Sequence, residues 1–431
     1  MTLKSLPTII AVAALAACSS GEKAIYHPQE LVNNDFNNPQ SDWSYSRMLK
    51  TPNMAIFWEK GFGQDLANPP ALDGQPMDID LPNLAEKLED FYAFFTDSLQ
   101  FVLPGSKAEK NRMLVMLRYS NEGTAYGGDY DQEIGALWVT PNRLRDSTLN
   151  CIAHELGHSF QAQITCDGQG EAWGGCGFFE MTSQWMLWQV NPNWVHDEAF
   201  HFDAFRQLTH RAYLHLDNIY HSPYVLEAWG EKHGKPFIAQ LYREGKIGED
   251  PVITYKRVTG EDQEAFCDEM YETSARIVNL DFPRTWDYTR DFAATFATPM
   301  VQERDGWMRP DSAHAPEAYG FNVIPVDVPA PGSTAKAQLQ ELASLKGYHI
   351  ENAEEAGWRY GLVGIDQDGR SVYGPMAKAP GEIAQFETPD DAPLRGLYLV
   401  VMGAPTQHHI LPEGEAQAPQ YPYQVKVISN E

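Results

Sequence analysis

Apolar positions fall into two textures along the 431-residue chain. Up to about residue 290, helix-spaced apolar residues alternate with a few short apolar runs; beyond it, strand-like runs alternate with turns. In the first part, Leu84, Leu88, Phe91, Phe95 and Leu99 fall on one side of a helical wheel, which predicts an amphipathic helix. Met54–Trp58, Met113–Tyr119 and Gly135–Val139 read as strands, and Gly127–Asp131 as a loop. Thr148–Gln163 and Phe178–Val190 read as helices joined by the glycine-rich stretch Asp167–Gly177, with two or three more helices between Asp197 and Glu244. In the second part, strands are predicted at Gly320–Val328, Trp358–Asp366, Ser371–Tyr373, Ile383–Phe386, Leu397–Met402 and Tyr423–Ile428. Asp366-Gln-Asp-Gly369 has the chemistry of a hairpin turn and lacks the downstream ligands of a calcium loop. Short strands at regular spacing predict a C-terminal β-sandwich, so the whole chain reads as α+β.

The first residues carry a different signal. Lys4 precedes an apolar stretch, Leu6–Ala17, that is too short to cross a bilayer as a helix. It ends in Leu15-Ala16-Ala17-Cys18, which resembles a bacterial lipobox. The resemblance implies that residues 1–17 are a lipoprotein signal peptide and that Cys18 becomes the acylated first residue of the mature protein. The other reading is an ordinary secretory signal cleaved after Ala17. Residues 18–45 are polar and asparagine-rich and read as a flexible tether. The expected location is the bacterial cell envelope, at the outer membrane or cell surface, with the N-terminal lipid as the membrane contact.

Export changes how the cysteines read. Beyond Cys18 there are Cys151, Cys166, Cys176 and Cys267, enough for two disulfides in three connectivities. Cys166 and Cys176 bracket the glycine-rich loop and are the expected pair, which leaves Cys151 with Cys267. The alternative is four reduced thiols buried as small hydrophobes. Charge narrows the partners: 32 Lys plus Arg against 59 Asp plus Glu leave a net charge of −27, which repels phosphate backbones and argues against nucleic acid.

The chemistry sits in His154-Glu155-Leu156-Gly157-His158, which fits HExxH. Residues four apart lie one above the other on a helix, so both imidazoles can reach one metal ion, and zinc accepts imidazole nitrogen readily. Glu155, one step round the helix, can stand beside the metal without binding it. From there it can take a proton from a water that attacks a carbonyl. The bland alternative is a surface helix whose histidines pair with a carboxylate. Ile152, Ala153, Leu156 and Phe160 give the helix an apolar side, and Gly157, which costs helix stability, is expected to admit close approach of another element.

A catalytic zinc site needs a third protein ligand. The metzincin extension fails, because Gln161 and Ile164 stand where its Gly and third His belong. Glu180 is the expected ligand. It lies in the next helix among Phe178, Phe179, Met181, Trp185, Met186 and Trp188, where a carboxylate needs a compensating partner. The alternative is a Glu180 favoured only by the helix dipole, and Glu171 is the second choice of ligand.

In this combination the chain resembles the gluzincins, metallopeptidases with HExxH on one helix and a glutamate on the next, over roughly residues 50–250. The resemblance implies a zincin-like domain of small mixed sheet plus helices over 46–290, followed by the sandwich over 291–431. It implies Zn2+ on His154, His158 and Glu180, with Glu155 as general base. It also implies that Gly135–Val139 is the edge strand where an extended substrate adds. Ala136-Leu-Trp-Val139 and Cys151-Ile-Ala-His-Glu155 are similar, too, to an uncharacterised group of bacterial exported proteins known only as a domain of unknown function.

No clear motif marks the gluzincin group that steadies the oxyanion. Tyr220, His221 and Tyr224 are the candidates, ordinary core or surface aromatics being the alternative. Ser183 and Gln184 are candidates, by helical position, for orienting the histidines. His196, His201, His210 and His215 read as structural or exposed rather than as a second metal site, and His408-His409 as exposed. The expected function is zinc-dependent hydrolysis of peptide bonds in extracytoplasmic proteins or glycoproteins. The alternatives are hydrolysis of another amide, such as cell-wall peptide, and a surface lipoprotein that binds glycans or glycoproteins around a non-catalytic metal.

Overall fold

The apolar runs of the first part assemble into one mixed sheet. The computed structural model describes residues 21–171, 173, 177–342, 345–390, 393–411 and 418–430, so Cys18 and Cys176 lie outside the described residues. β1 (Ala24–Ile25), β2 (Met48–Lys50) and β3 (Met54–Trp58) precede α1 (Leu81–Ala93), whose N-cap Asp80 accepts from the Asn83 amide. β4 (Asn111–Leu117), β5 (Ala125–Tyr130) and β6 (Ile134–Val139) follow. The sheet order is β2-β3-β4-β6-β5, with β1 beside β4. β3, β4 and β6 run parallel, and β2 and β5 antiparallel to their neighbours. Both faces of β3 and β4 are buried, which is why they read as unbroken apolar runs.

Two expectations change here. The segment Gly127–Asp131 is largely strand, and β5, not β6, forms the edge of the sheet. Paired glycines and Asp129 hide the strand pattern. Nor are residues 21–45 a free tether. β1 pairs in parallel with Asn111 and Arg112, and Phe36 and Trp43 are buried. Arg47, just beyond, donates to the carbonyls of Pro39, Ser41, Asp42 and Trp58. The asparagines shape turns instead of disorder: the Asn34 amide both donates to and accepts from the Trp43 backbone.

The helices are α2 (Asn150–Cys166), α3 (Phe178–Val190), α4 (Trp194–Asp197), α5 (Ala199–Leu208), α6 (Tyr224–His233), α7 (Pro236–Glu244), α8 (Pro251–Thr259), α9 (Gln263–Ile277) and α10 (Trp286–Thr289). Among the described residues no helix is long and apolar enough to cross a membrane. α8 has its own start and stop signals: Asp250 caps the Ile253 amide, Pro251 opens the helix, and Gly260 ends it in the left-handed region at φ 80°.

The second part contains β7 (Met300–Gln302), β8 (Met308–Pro310), β9 (Phe321–Val326), β10 (Thr334–Glu341), β11 (Trp358–Asp366), β12 (Ser371–Tyr373), β13 (Ile383–Glu387), β14 (Leu394–Gly403) and β15 (Tyr423–Asn430). They form two antiparallel sheets, β13-β10-β15-β8-β7 and β12-β11-β14-β9. Ala335, Ala337 and Leu339 of one sheet share an apolar cluster with Tyr360, Leu362 and Leu399 of the other. Phe321, Val323, Val400 and Met402 join the helical core instead, beside Phe266 and Met270 of α9. His408 is not exposed as expected. It is held at this junction, with Nε2 on Asp250 at 2.7 Å and Nδ1 on the Tyr319 hydroxyl at 3.0 Å. His409 is half exposed and pairs with Glu355.

Cys151, Cys166 and Cys267 are free thiols. The expected Cys151–Cys267 bond is not formed: Cys151 sits in the first turn of α2, and Cys267 is buried on α9 against the Pro405 carbonyl. Burial pushes the Cys151 and Cys166 thiols up to about 12 and Cys267 up to about 11, so they behave as small hydrophobes.

Candidate metal centre

Three glycines set the geometry. A Cβ on Gly127 would lie 1.7 Å from the Glu155 carbonyl oxygen, and one on Gly135 would lie 2.8 Å from the Ser159 carbonyl oxygen. The β5–β6 hairpin therefore rests backbone-to-backbone on α2. On the other side of α2, a Cβ on Gly157 would lie 2.8 Å from Ser183 Oγ, which is the close approach of another element, α3, that this glycine was expected to permit. α2 is gripped between sheet and α3.

The grip brings three side chains together. The Nε2 atoms of His154 and His158 are 3.2 Å apart, and Glu180 Oε2, from the first turn of α3, is 3.1 Å from each. Among the described residues this is the one cluster of three or more His, Cys, Asp or Glu ligand atoms close enough to hold a metal ion.

Two glutamines fix the protonation of the histidines. Gln184 Oε1 faces His154 Nδ1 at 3.0 Å while its Nε2 donates to the Tyr220 carbonyl at 2.8 Å. Gln161 Oε1 faces His158 Nδ1 at 3.1 Å while its Nε2 donates to the Phe179 carbonyl and Ser183 Oγ, each at 3.0 Å. A carbonyl can only accept, so each amide must turn its NH2 to it and its oxygen to the imidazole. Each histidine thus carries its proton on Nδ1 and directs a lone pair from Nε2 at Glu180. Two lone pairs and a carboxylate oxygen so close repel one another unless a cation or proton stands between them. Two neutral imidazole nitrogens and a carboxylate are a donor set that suits zinc, with a position left open. Where a proton rather than a cation stands between them, on an imidazole Nε2, burial opposes charge on Glu180, yet bonds and charge from the protonated imidazoles hold it well below the usual carboxylate range. Burial also opposes charge on His158, and the bond that its doubly protonated form gives Glu180 outweighs it and raises the pKa.

Glu155 stands beside this cluster. Its Oε2 accepts from the Gly127 amide at 2.9 Å, and burial raises its pKa against the pull of both histidines. The residues open onto a cleft of about 470 Å³, lined also by Tyr126, Asp129, Phe179 and Tyr220. Tyr220 stacks on His154, ring centroids 6.2 Å apart. Burial first, then Glu180, pushes its phenol up to about 12, so it keeps its proton at neutral pH.

The other expected site residues are placed elsewhere. Tyr224 is fully buried among Trp188, Phe205 and Phe282, away from the cleft, because it opens α6 facing the core. His221 turns from the cleft toward His201, Nδ1 to Nδ1 at 2.7 Å. Glu171 is turned to the loop after α7, where it accepts from the Ile247 amide. His210 is buried, His196 packs on Phe292, and His215 caps a short turn. In the sequence Gln161 shows only as a break in the metzincin pattern; its signal is a polar residue three positions after His158.

Residues 17–430 match the model of a family described as "Family of unknown function (DUF6055)". No curated relative matches the sequence. Among solved structures, the chain is similar to the M60 catalytic domain from Clostridium perfringens ZmpC in complex with the sialyl T antigen, at 10% identity over 92% of this chain and 71% of that one, TM-score 0.32. It is similar to the ZmpB metallopeptidase from Clostridium perfringens at 14% identity over 84% and 68%, TM-score 0.30. A C-terminal family 22 carbohydrate binding module of Clostridium thermocellum Xyn10B matches 30% of this chain and 77% of its own, at 13% identity and TM-score 0.18.

Proposed function

The chain belongs to DUF6055, a family of unknown function, and from its own site we propose that it is a zinc metallopeptidase that hydrolyses peptide bonds in extracytoplasmic proteins or glycoproteins. One observation carries this reading: two imidazole nitrogens and a carboxylate converge while a second carboxylate, Glu155, is held beside them by the edge strand. Zinc bound by His154, His158 and Glu180 would supply Lewis acidity, acidifying water and polarising a substrate carbonyl. Glu155 takes the proton of the attacking water. Its raised pKa makes it the stronger base, and the Gly127 amide leaves Oε1 for the water. Tyr220 offers its phenol proton to the oxygen that gains charge. β5 lies at the sheet edge, where an extended peptide can add through backbone hydrogen bonds. A non-catalytic metal site on a glycan-binding lipoprotein has no use for a carboxylate held as Glu155 is.

In this reading edge strand, HExxH helix and glutamate helix form a zincin-like layout, and the two C-terminal sheets form a sandwich. Attachment to the cell envelope through a lipid on Cys18 belongs to it as well, supported by the Leu15–Cys18 pattern. The test is cleavage of a proteome-derived peptide library by the zinc-loaded protein, read by mass spectrometry. Glu155→Gln should keep zinc and cleave about 10²- to 10⁴-fold more slowly. Equal cleavage by both would remove Glu155 from the chemistry; no cleavage by the wild type would remove the peptidase reading.

A further inference from the structure

A chain of hydrogen bonds leaves the site through Gln184 and ends on an imidazole pair outside the cleft. The Gln184 amide nitrogen that donates to the Tyr220 carbonyl also lies 3.1 Å from His201 Nε2. The carbonyl fixes this end of the amide as NH2, so His201 Nε2 receives the second N–H and must be an acceptor. His201 then carries its proton on Nδ1 and donates it to His221 Nδ1, 2.7 Å away. His221 accepts there and carries its own proton on Nε2. One acceptor-only carbonyl thus dictates the protonation of His154, His201 and His221.

The surroundings support this order. His201 is buried between Trp194 and Phe200, and burial holds it neutral, its pKa lowered to about 3; burial lowers His221 too. Glu198 Oε2 is the competing acceptor for His201 Nε2, but it lies 3.5 Å away and already takes the Trp194 indole N–H at 2.8 Å. The pair also acts on the cleft from a second direction. His221 follows Tyr220 in the chain, so the His201–His221 bond pins the segment that supplies both the Tyr220 ring and the carbonyl that orients Gln184.

We infer that His201 and His221 are positioning residues: together they lock the Gln184 amide, and with it the Nδ1–H form of His154 and the place of Tyr220. The inference rests on the metal reading of His154, His158 and Glu180. Neither residue lines the cleft or belongs to the ligand cluster. Losing the pair frees the Tyr220 segment and removes one of the two acceptors of the amide. An amide that turns would offer NH2 to His154 Nδ1, drive the proton to Nε2 and cancel the ligand lone pair.

The experiment uses the full soluble chain with ¹⁵N-labelled histidine, metal-free and then titrated with zinc against a chromophoric chelator. In metal-free wild type, His154 should hold a proton on Nδ1 whether or not Nε2 shares one with Glu180, and His201 should show its proton on Nδ1 and His221 on Nε2. His201→Leu should turn His154 into a mixture of tautomers and weaken zinc binding about 10- to 100-fold. His201→Gln, whose amide oxygen can still accept, should bind zinc about as tightly as wild type, which a mere packing role would not explain. Should His201→Leu fail to fold, His221→Phe gives the same two readouts. A wild-type His201 with its proton on Nε2, or a His201→Leu protein with unchanged His154 and unchanged zinc affinity, overturns the inference. If wild type binds no zinc, the metal reading fails, and the His154 tautomer in the metal-free protein still decides the positioning claim.

Discussion

The backbone amide of Gly127 donates to Glu155 Oε2 at 2.9 Å, so the edge of the sheet and the proposed general base are fixed to each other before any substrate arrives. The contact exists because β5 can lie directly on α2, and it can do so because residue 127 has no side chain. Gly127→Ala would place a methyl 1.7 Å from the Glu155 carbonyl oxygen, where neither backbone can yield. It should destabilise the fold by about 3 kcal/mol or more and abolish cleavage. Gly128→Ala is the control. Its Cβ would meet only the exposed Tyr126 ring, at 3.2 Å, so stability should change by about 1 kcal/mol or less. Urea unfolding of both variants, with cleavage assayed on the folded fraction, checks the pair; equal losses would contradict the packing described.

Tyr220 and Tyr224 separate in the same way. Tyr220→Phe should lower kcat about 10²- to 10³-fold with KM and zinc content unchanged, if its phenol stabilises the oxyanion. Tyr224→Phe should leave kcat unchanged and stability equal or higher, because the buried Tyr224 hydroxyl has no hydrogen-bond partner. Steady-state kinetics on one cleaved peptide decides it; a reversed order would put the wrong tyrosine in the cleft.

The legible parts of this chain were those whose chemistry follows from side-chain periodicity. The apolar run at Phe178–Val190 predicts a helix at the bounds it has, and spacing and an apolar context are enough to group His154, His158 and Glu180. What side-chain pattern does not encode is where backbones touch. Gly127 of β5 is glycine because the strand is pressed on a helix there, and with Gly128 and Asp129 beside it the segment reads as a loop. Asn34 reads as part of a disordered tether because the same amide that solvates a coil can also lock a turn. Tyr220, His221 and Tyr224 lie within one short stretch, and the turn into α6, which no periodicity shows, sends one to the cleft, one to His201 and one to the core.

His210 gives the fold a measurable acid sensitivity. It is 5% exposed, and burial, then Arg211 and His314, lower its pKa from 6.5 to about 4. Between those values the unfolded chain binds the proton and the folded one does not. Stability therefore falls as pH drops through that window and levels off below it, by up to about 1.4 kcal/mol per pH unit from this residue. His210→Asn should show a shallower loss in urea unfolding between about pH 7 and about pH 5. Parallel profiles would mean that His210 is not buried in its neutral form.

The most direct test of the central claim is the zinc content of the purified protein and of Glu180→Ala after equal zinc loading and dialysis, by elemental analysis. The geometry predicts about one zinc per wild-type chain and loss of most of it in the variant, because two histidines alone hold zinc weakly. A wild type that retains no zinc would contradict the metal centre itself, and a variant that keeps zinc at full affinity would contradict Glu180 as its third ligand.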